Sequence, residues 1–175
     1  MKRMHVGVLG ATGMVGQRFI SLLDKHPWFT VAVVAASERS SGKMYGEAIQ
    51  GRWMLSTAPP PSVAALVVKN VQDVGHISEE VDFVFSAVDM TKLLVRALEE
   101  AYARTETPVV SNNSAHRETP DVPMLIPEIN PEHAHVIPSQ RRRLGTRYGF
   151  IAVKPNCSLQ SYVPPLAVLT RFGLD

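Results

Sequence analysis

Seven residues near the amino terminus, Gly10-Ala11-Thr12-Gly13-Met14-Val15-Gly16, restrict the folds open to this chain more than any other feature. They follow a short apolar run, His5 to Leu9, and lead into Met14 to Lys25, where Val15, Phe19, Leu22 and Leu23 recur at helical spacing. In the order strand, glycine loop, helix, the backbone turns tightly, approaches a pyrophosphate closely and aims helix amides at it. A glycine string alone is weak evidence, and its place between strand and helix gives it weight. A plain turn that needs glycine for packing is the alternative, and three glycines at three-residue spacing exceed that need.

The rest of the chain continues the alternation. Val31 to Ala36 is an unbroken apolar run, as expected for a parallel strand covered on both faces. Val81 to Val88 and Pro108 to Ser111 read as strands, Thr91 to Arg104 as a helix, and Leu66 to Val68, Met124 to Ile126 and Phe150 to Val153 as shorter strands. The expected fold is α/β, a Rossmann-like doubly wound parallel sheet. Residues 37–51 and 138–149 read as loops, and 58–62 as a breaker. Pro164-Pro165 argues against a helix starting at Ser158, so a turn over 158–161 and a helix from near Tyr162 are expected. Trp28 and Trp53 are expected in the core or an interface.

Composition excludes several classes. The 175 residues suffice for one domain with a sizeable core, and 45% hydrophobic with 19% charged residues fits a globular protein. A net charge of +2 gives no footprint for nucleic acid. The single cysteine, Cys157, cannot form an internal disulfide. The apolar stretch after Met1 is too short for a signal peptide or a membrane span. A cytoplasmic protein without a metal site is expected.

The end of the second strand bears on which dinucleotide is bound. NAD sites usually carry an acidic residue about 20 positions past the glycines. Here the sequence is Ala36-Ser37-Glu38-Arg39-Ser40-Ser41-Gly42-Lys43, whose hydroxyls and cations suit a 2′-phosphate, with Glu38 expected to point away. A solvated polar loop is the other reading. Cys157 alone would read as a small buried hydrophobe. Its setting in Lys154-Pro155-Asn156-Cys157-Ser158, downstream of a dinucleotide fold, favours a thiolate prepared at a helix start. The stretch Ser111-Asn112-Asn113-Ser114-Ala115-His116-Arg117 reads equally as an anion-binding turn or an ordinary polar loop.

The ordered set G-A-T-G-M-V-G, A-S-E-R-S-S-G-K, S-N-N-S-A-H-R, L-I-P-E-I-N-P-E-H and K-P-N-C-S resembles the aspartate-semialdehyde dehydrogenases, in particular their archaeal and fungal-like branch, from residue 5 to about 172. The resemblance implies NADP-dependent reduction of L-aspartyl 4-phosphate to aspartate 4-semialdehyde through a cysteine thioester, serving lysine, threonine and methionine synthesis. It implies Cys157 as nucleophile, Asn156 as a positioning neighbour, and Arg117 with Asn113 as phosphate ligands. Gly10, Thr12, Gly13, Met14 and Val15 match the pyrophosphate loop, Ser37, Arg39 and Ser40 the 2′-phosphate loop, and Ser86 and Ala87 positions beside ribose and nicotinamide.

The family's histidine acid/base, substrate arginine and active-site glutamine have no match up to Asp175. On this reading residues 1–155 are the NADP-binding domain and 156–175 the start of a catalytic and dimerisation domain. The chain is then expected to be truncated, to bind cofactor weakly at best and to lack turnover, with a homodimer or homotetramer expected at full length. Glu128 has no catalytic account, and the run Arg141-Arg142-Arg143 reads as a solvated loop. The alternatives are another thioester-forming reductase, acting on malonyl-CoA or N-acetyl-glutamyl phosphate, and a dinucleotide-binding module without catalysis. No Tyr-x-x-x-Lys pair follows the strands, which weighs against a short-chain reductase.

Overall fold

The computed structural model describes residues 2–173. Its strands are β1 (Met4–Leu9), β2 (Phe29–Ala36), β3 (Lys69–Asn70), β4 (Phe83–Ser86), β5 (Val109–Ser111) and β6 (Ile151–Val153). They form one sheet in the order β3-β2-β1-β4-β5-β6, with every pairing parallel. The helices are α1 (Met14–Leu23), α2 (Tyr45–Ala48), α3 (Pro61–Ala64), α4 (Val74–Glu80), α5 (Lys92–Arg104), α6 (Ile137–Leu144) and α7 (Cys157–Leu169). The chain winds outward from β1 to β3, then returns to the far side of β1 for β4. That reversal is the topological switch of a doubly wound sheet, and a crevice opens there beyond the carboxyl ends of the strands.

Alternation along the strands divides the core into two layers. Val6 and Val8 of β1 and Val34 and Ala36 of β2 pack with Ile20 and Leu23 of α1. Leu9, Val33 and Ala35 face the other way and pack with Val84, Leu98, Tyr102 and Leu144. Because helices cover both faces, β2 reads as a continuous apolar run rather than an alternating one.

Several expectations are corrected. Residues 138–149 are not a loop, since α6 occupies most of them, with Gln140 and Leu144 facing inward. Within α6, Arg143 pairs with Asp121 at 2.6 Å and Glu100 at 2.7 Å, and the Arg141 guanidinium lies 5.5 Å from the Phe150 ring centroid. Arg141 and Arg143 thus make structural contacts, while Arg142 and Arg143 stay exposed to solvent as expected, on a helix rather than a loop. α7 begins at Cys157 and runs through Pro164 and Pro165. The prolines remove two ladder hydrogen bonds, and the carbonyls this frees, on Gln160 and Ser161, sit on exposed residues where water can reach them. Strand pairing falls at Lys69–Asn70 rather than 66–68, where Val67 makes only an isolated bridge to Met44. Met124 makes one bridge to Val153 and no strand. Trp28 is 62% exposed and is no core residue, and no described helix is long and apolar enough to cross a membrane.

Candidate active site

The glycine loop connects β1 to α1, and its glycines have different causes. Gly10 has φ +79°, and a Cβ there would lie 2.3 Å from the Ala87 carbonyl oxygen. At Gly16 a Cβ would lie 2.2 Å from the Gly10 oxygen. Packing alone therefore demands these two. A Cβ on Gly13 would meet only the Gly10 oxygen, at 3.4 Å, so the protein itself leaves room for a side chain there. Gly13 is the N-cap of α1 and has no side chain to cap it. The first-turn amides of α1 consequently lack both intrahelical and side-chain acceptors. A bare Cα beside unpaired amides is the cradle an anionic pyrophosphate fits.

Buried side chains fix the loop from behind. The Tyr45 hydroxyl donates to the Ala11 carbonyl at 2.9 Å, and burial raises its pKa, so it remains a donor. The Gln17 amide donates to Thr12 O at 3.0 Å and Arg52 O at 2.9 Å and accepts from Met54 N at 2.8 Å. Gln17 thus ties the glycine loop to the 52–54 segment, although the two are far apart in sequence.

In front of the loop lies a cleft of about 310 Å³ at the switch point. Gly10, Thr12 and Gly13 form one wall, Ala36, Ser37 and Arg39 a second, and Ala87 to Met90 a third, with Arg52 and Val71 completing it. Two guanidinium-bearing residues, Arg39 and Arg52, therefore border one cleft. Arg52 escaped the sequence reading because nothing local marks it; only the fold brings it to the glycine loop.

A second group of polar residues stands at the same edge of the sheet, beyond β5 and β6. Cys157 is exposed at the first position of α7. Asn156 caps that helix: its Oδ1 accepts from Ser158 N at 3.0 Å, Ser158 Oγ at 3.0 Å and Cys157 Sγ at 3.5 Å. The Arg117 guanidinium donates to Lys154 O at 3.1 Å and Pro155 O at 3.4 Å, in the turn leading to the thiol. Desolvation lowers the Lys154 pKa, the nearby Arg117 lowers it further, and Cys157 opposes the shift. Lys154 thus lies within the influence of both Arg117 and the Cys157 sulfur.

The remaining residues singled out from sequence are placed differently. Met14 and Val15 are exposed at the start of α1, where their amides rather than their side chains face the loop region. Ser40 is buried beneath the Ser37–Gly42 turn. Ser86 is fully buried, and its hydroxyl donates to Glu99 at 2.7 Å instead of lining the cleft. Asn113 Nδ2 donates to the same carboxylate at 3.0 Å. Glu128 is exposed. Glu99 itself went unnoticed because an acidic residue in an amphipathic helix reads as solvent-facing. No group of three or more His, Cys, Asp or Glu able to hold a metal occurs among the described residues.

A family model described as semialdehyde dehydrogenase, NAD binding domain, matches residues 5–137. The chain belongs to the semialdehyde dehydrogenase family. Within the family it is 43% identical over 172 residues to an aspartate-semialdehyde dehydrogenase of Archaeoglobus fulgidus, covering 98% of this chain and 48% of that protein. It is 48% identical over 155 residues to the aspartate-semialdehyde dehydrogenase of Methanothermobacter thermautotrophicus, covering 89% of this chain and 42% of that protein. The fold of this semialdehyde dehydrogenase family member matches the crystal structure of aspartate-semialdehyde dehydrogenase with NADP from Candida albicans. That match has a TM-score of 0.83 and 36% identity, over 99% of this chain and 48% of that one. The chain spans about half the length of the relatives it matches.

Proposed function

We propose that this chain is the nucleotide-binding and thiol-bearing part of a cytoplasmic enzyme that reduces L-aspartyl 4-phosphate to L-aspartate 4-semialdehyde with NADPH and releases phosphate. The observation that carries the reading is Cys157, exposed at the head of α7 on the same sheet edge as the glycine-loop cleft. Support for the cofactor comes from the open Cα of Gly13, the uncapped amides of α1 and the two arginines bordering the cleft. When bound there, NADPH supplies a hydride.

The chain's own residues account for the other steps. The Cys157 thiolate, at a helix N-terminus beside Lys154 and Arg117, attacks the acyl carbon, and the carbon–oxygen bond to phosphate breaks as the thioester forms. Arg117 holds the phosphate oxygens, while Asn113, whose Nδ2 donates to Glu99 and Ser86, shapes the turn that carries it, and Asn156 Oδ1 orients the thiol by accepting from Sγ before the proton is lost. Cys157 would then leave as the thiolate as the aldehyde forms, the hydride being what bound NADPH would supply. Residues 1–155 form the nucleotide-binding domain on this reading, and 156–175 open a second domain. The absence of any buried residue in α7 supports that division. The whole protein is read as an oligomer of two or four copies.

The test is NADPH oxidation by the full-length protein with L-aspartyl 4-phosphate, N-acetyl-glutamyl phosphate and malonyl-CoA supplied separately. Turnover with the first alone, abolished by Cys157→Ala, is the expected result. Turnover with another acyl donor, or activity that survives Cys157→Ala, overturns the reading.

A further inference from the structure

Glu99 is a carboxylate with no access to solvent, on a helix that could have presented an apolar side chain to the sheet. Burying such a charge is costly unless donors converge on it. Three do, all on Oε1: Ser86 Oγ at 2.7 Å, Ser111 Oγ at 2.7 Å and Asn113 Nδ2 at 3.0 Å. Ser86 ends β4, Ser111 ends β5, and Asn113 opens the turn that follows. One oxygen therefore sets the spacing of two strand ends and a turn.

The other oxygen, Oε2, has no hydrogen-bond partner, and neither has His116 Nε2, which faces it across 4.0 Å. His116 is buried, and its Nδ1 lies 3.2 Å from Thr119 Oγ1. A neutral ring protonated on Nε2 accepts from the Thr119 hydroxyl and leaves its N–H facing Oε2 across 4.0 Å, beyond hydrogen-bond reach. Burial favours the neutral ring. Arg96, on the same helix, donates to Ala115 O at 2.6 Å. Helix α5 thus grips the 113–119 turn by hydrogen bonds at Asn113 and Ala115, with His116 packed beside Glu99. From that turn Arg117 reaches the Lys154 and Pro155 carbonyls, directly ahead of Asn156 and Cys157.

We propose that Glu99 is a positioning residue for phosphate recognition: its buried carboxylate holds Asn113, at the head of the turn that carries Arg117 to the segment bearing the thiol. This rests on the assignment of Arg117 as a phosphate ligand made under the proposed function.

The experiment compares wild type, Glu99→Leu and Glu99→Gln in the full-length protein, assayed in the direction that consumes aspartate semialdehyde, NADP and inorganic phosphate. Loss of a hydrogen bond to a charged group is worth about tenfold, so Glu99→Leu is expected to raise KM for phosphate about tenfold while KM for NADP changes little. Glu99→Gln keeps an acceptor oxygen for the three donors and recovers most of the loss. Hydrogen exchange on the 175-residue chain supplies a readout independent of turnover: amides 112–119 exchange faster in Glu99→Leu, and those of β1 and α1 do not. Parallel losses in both KM values, or exchange that rises everywhere, make Glu99 a packing residue and overturn the proposal. Should Glu99→Leu not fold, Ser111→Ala must give the same selective change at smaller size, and its failure to do so is equally decisive. A wild-type protein inactive with phosphate would sink the functional reading, while the exchange pattern still decides whether Glu99 holds the turn.

Discussion

Arg39 and Arg52 reach one cleft from two separate segments, and their charge sets what that cleft can discriminate. Hydrogen bonds to charged groups are worth about 1.5–3 kcal/mol, so Arg39→Gln and Arg52→Gln should each weaken NADPH about tenfold or more. Because the 2′-phosphate is the only difference between the two cofactors, NADH affinity should barely change. Calorimetric titration of both cofactors separates this from a pyrophosphate role, which would weaken both alike. The glycines give a second residue-scale prediction. Gly16→Ala places a Cβ 2.2 Å from a backbone oxygen with no flexible neighbour to yield, and should destabilise the fold severely. Gly13→Ala meets nothing closer than 3.4 Å and should cost less than about 1 kcal/mol. It should nevertheless weaken nucleotide binding, because the methyl occupies the space an approaching pyrophosphate needs. Measured without nucleotide, the melting temperature should fall far more for Gly16→Ala than for Gly13→Ala, and Gly13→Ala should show weakened nucleotide affinity in a protein that still folds.

Between elements, Glu106 fastens the α5–β5 connection to the segment entering β6. It sits at φ +64° and accepts from the amides of Arg147 at 2.9 Å, Tyr148 at 2.6 Å and Gly149 at 2.8 Å. The Arg147 amide lowers its pKa most, with those of Gly149 and Tyr148 next. A carboxylate whose folded pKa is depressed stabilises the fold above its unfolded value, about 4.5, and this is lost as pH falls through the folded value. Glu106→Ala should therefore lower the melting temperature at neutral pH, and the difference from wild type should vanish in acid. Nucleotide affinity should be unchanged, since this latch lies at the sheet edge opposite the cleft. A variant melting like wild type at every pH would show that the amides find other acceptors. The same scale explains what the sequence could express. β1, the glycine loop and α1 are local, so apolar spacing and glycine placement revealed them together. Helix α6 was illegible because only Gln140 and Leu144 point inward, leaving no apolar period, and α4 offers only Ile77. In α7 the Pro-Pro pair suppressed a helix that survives because its freed carbonyls are exposed. At the site, Cys157 and the glycines carry strong chemical signatures, whereas Arg52, Glu99 and Gln17 matter only through long-range contacts.

At the scale of the whole molecule, cleft and thiol are separable. The cleft lies between β1 and β4, and Cys157 lies past β6, two strands further across the sheet. The residues that line the cleft fall between Gly10 and Met90, so the 175-residue chain should bind NADPH, whatever turnover requires. A ligand at a hundred times its dissociation constant stabilises the folded state by about 2.7 kcal/mol. For a chain of this size each kcal/mol shifts the melting temperature by about 2–4 °C, which gives about 5–10 °C in all. Cys157→Ala should leave that shift intact, since the thiol touches none of the cleft walls, whereas Gly13→Ala should diminish it. Iodoacetamide should label Cys157 readily in the folded chain, because the residue is exposed. A shift with NADH equal to that with NADPH would remove the 2′-phosphate from the account. A shift that depended on Cys157 would mean that cofactor site and thiol are one cavity rather than two neighbours on a common edge.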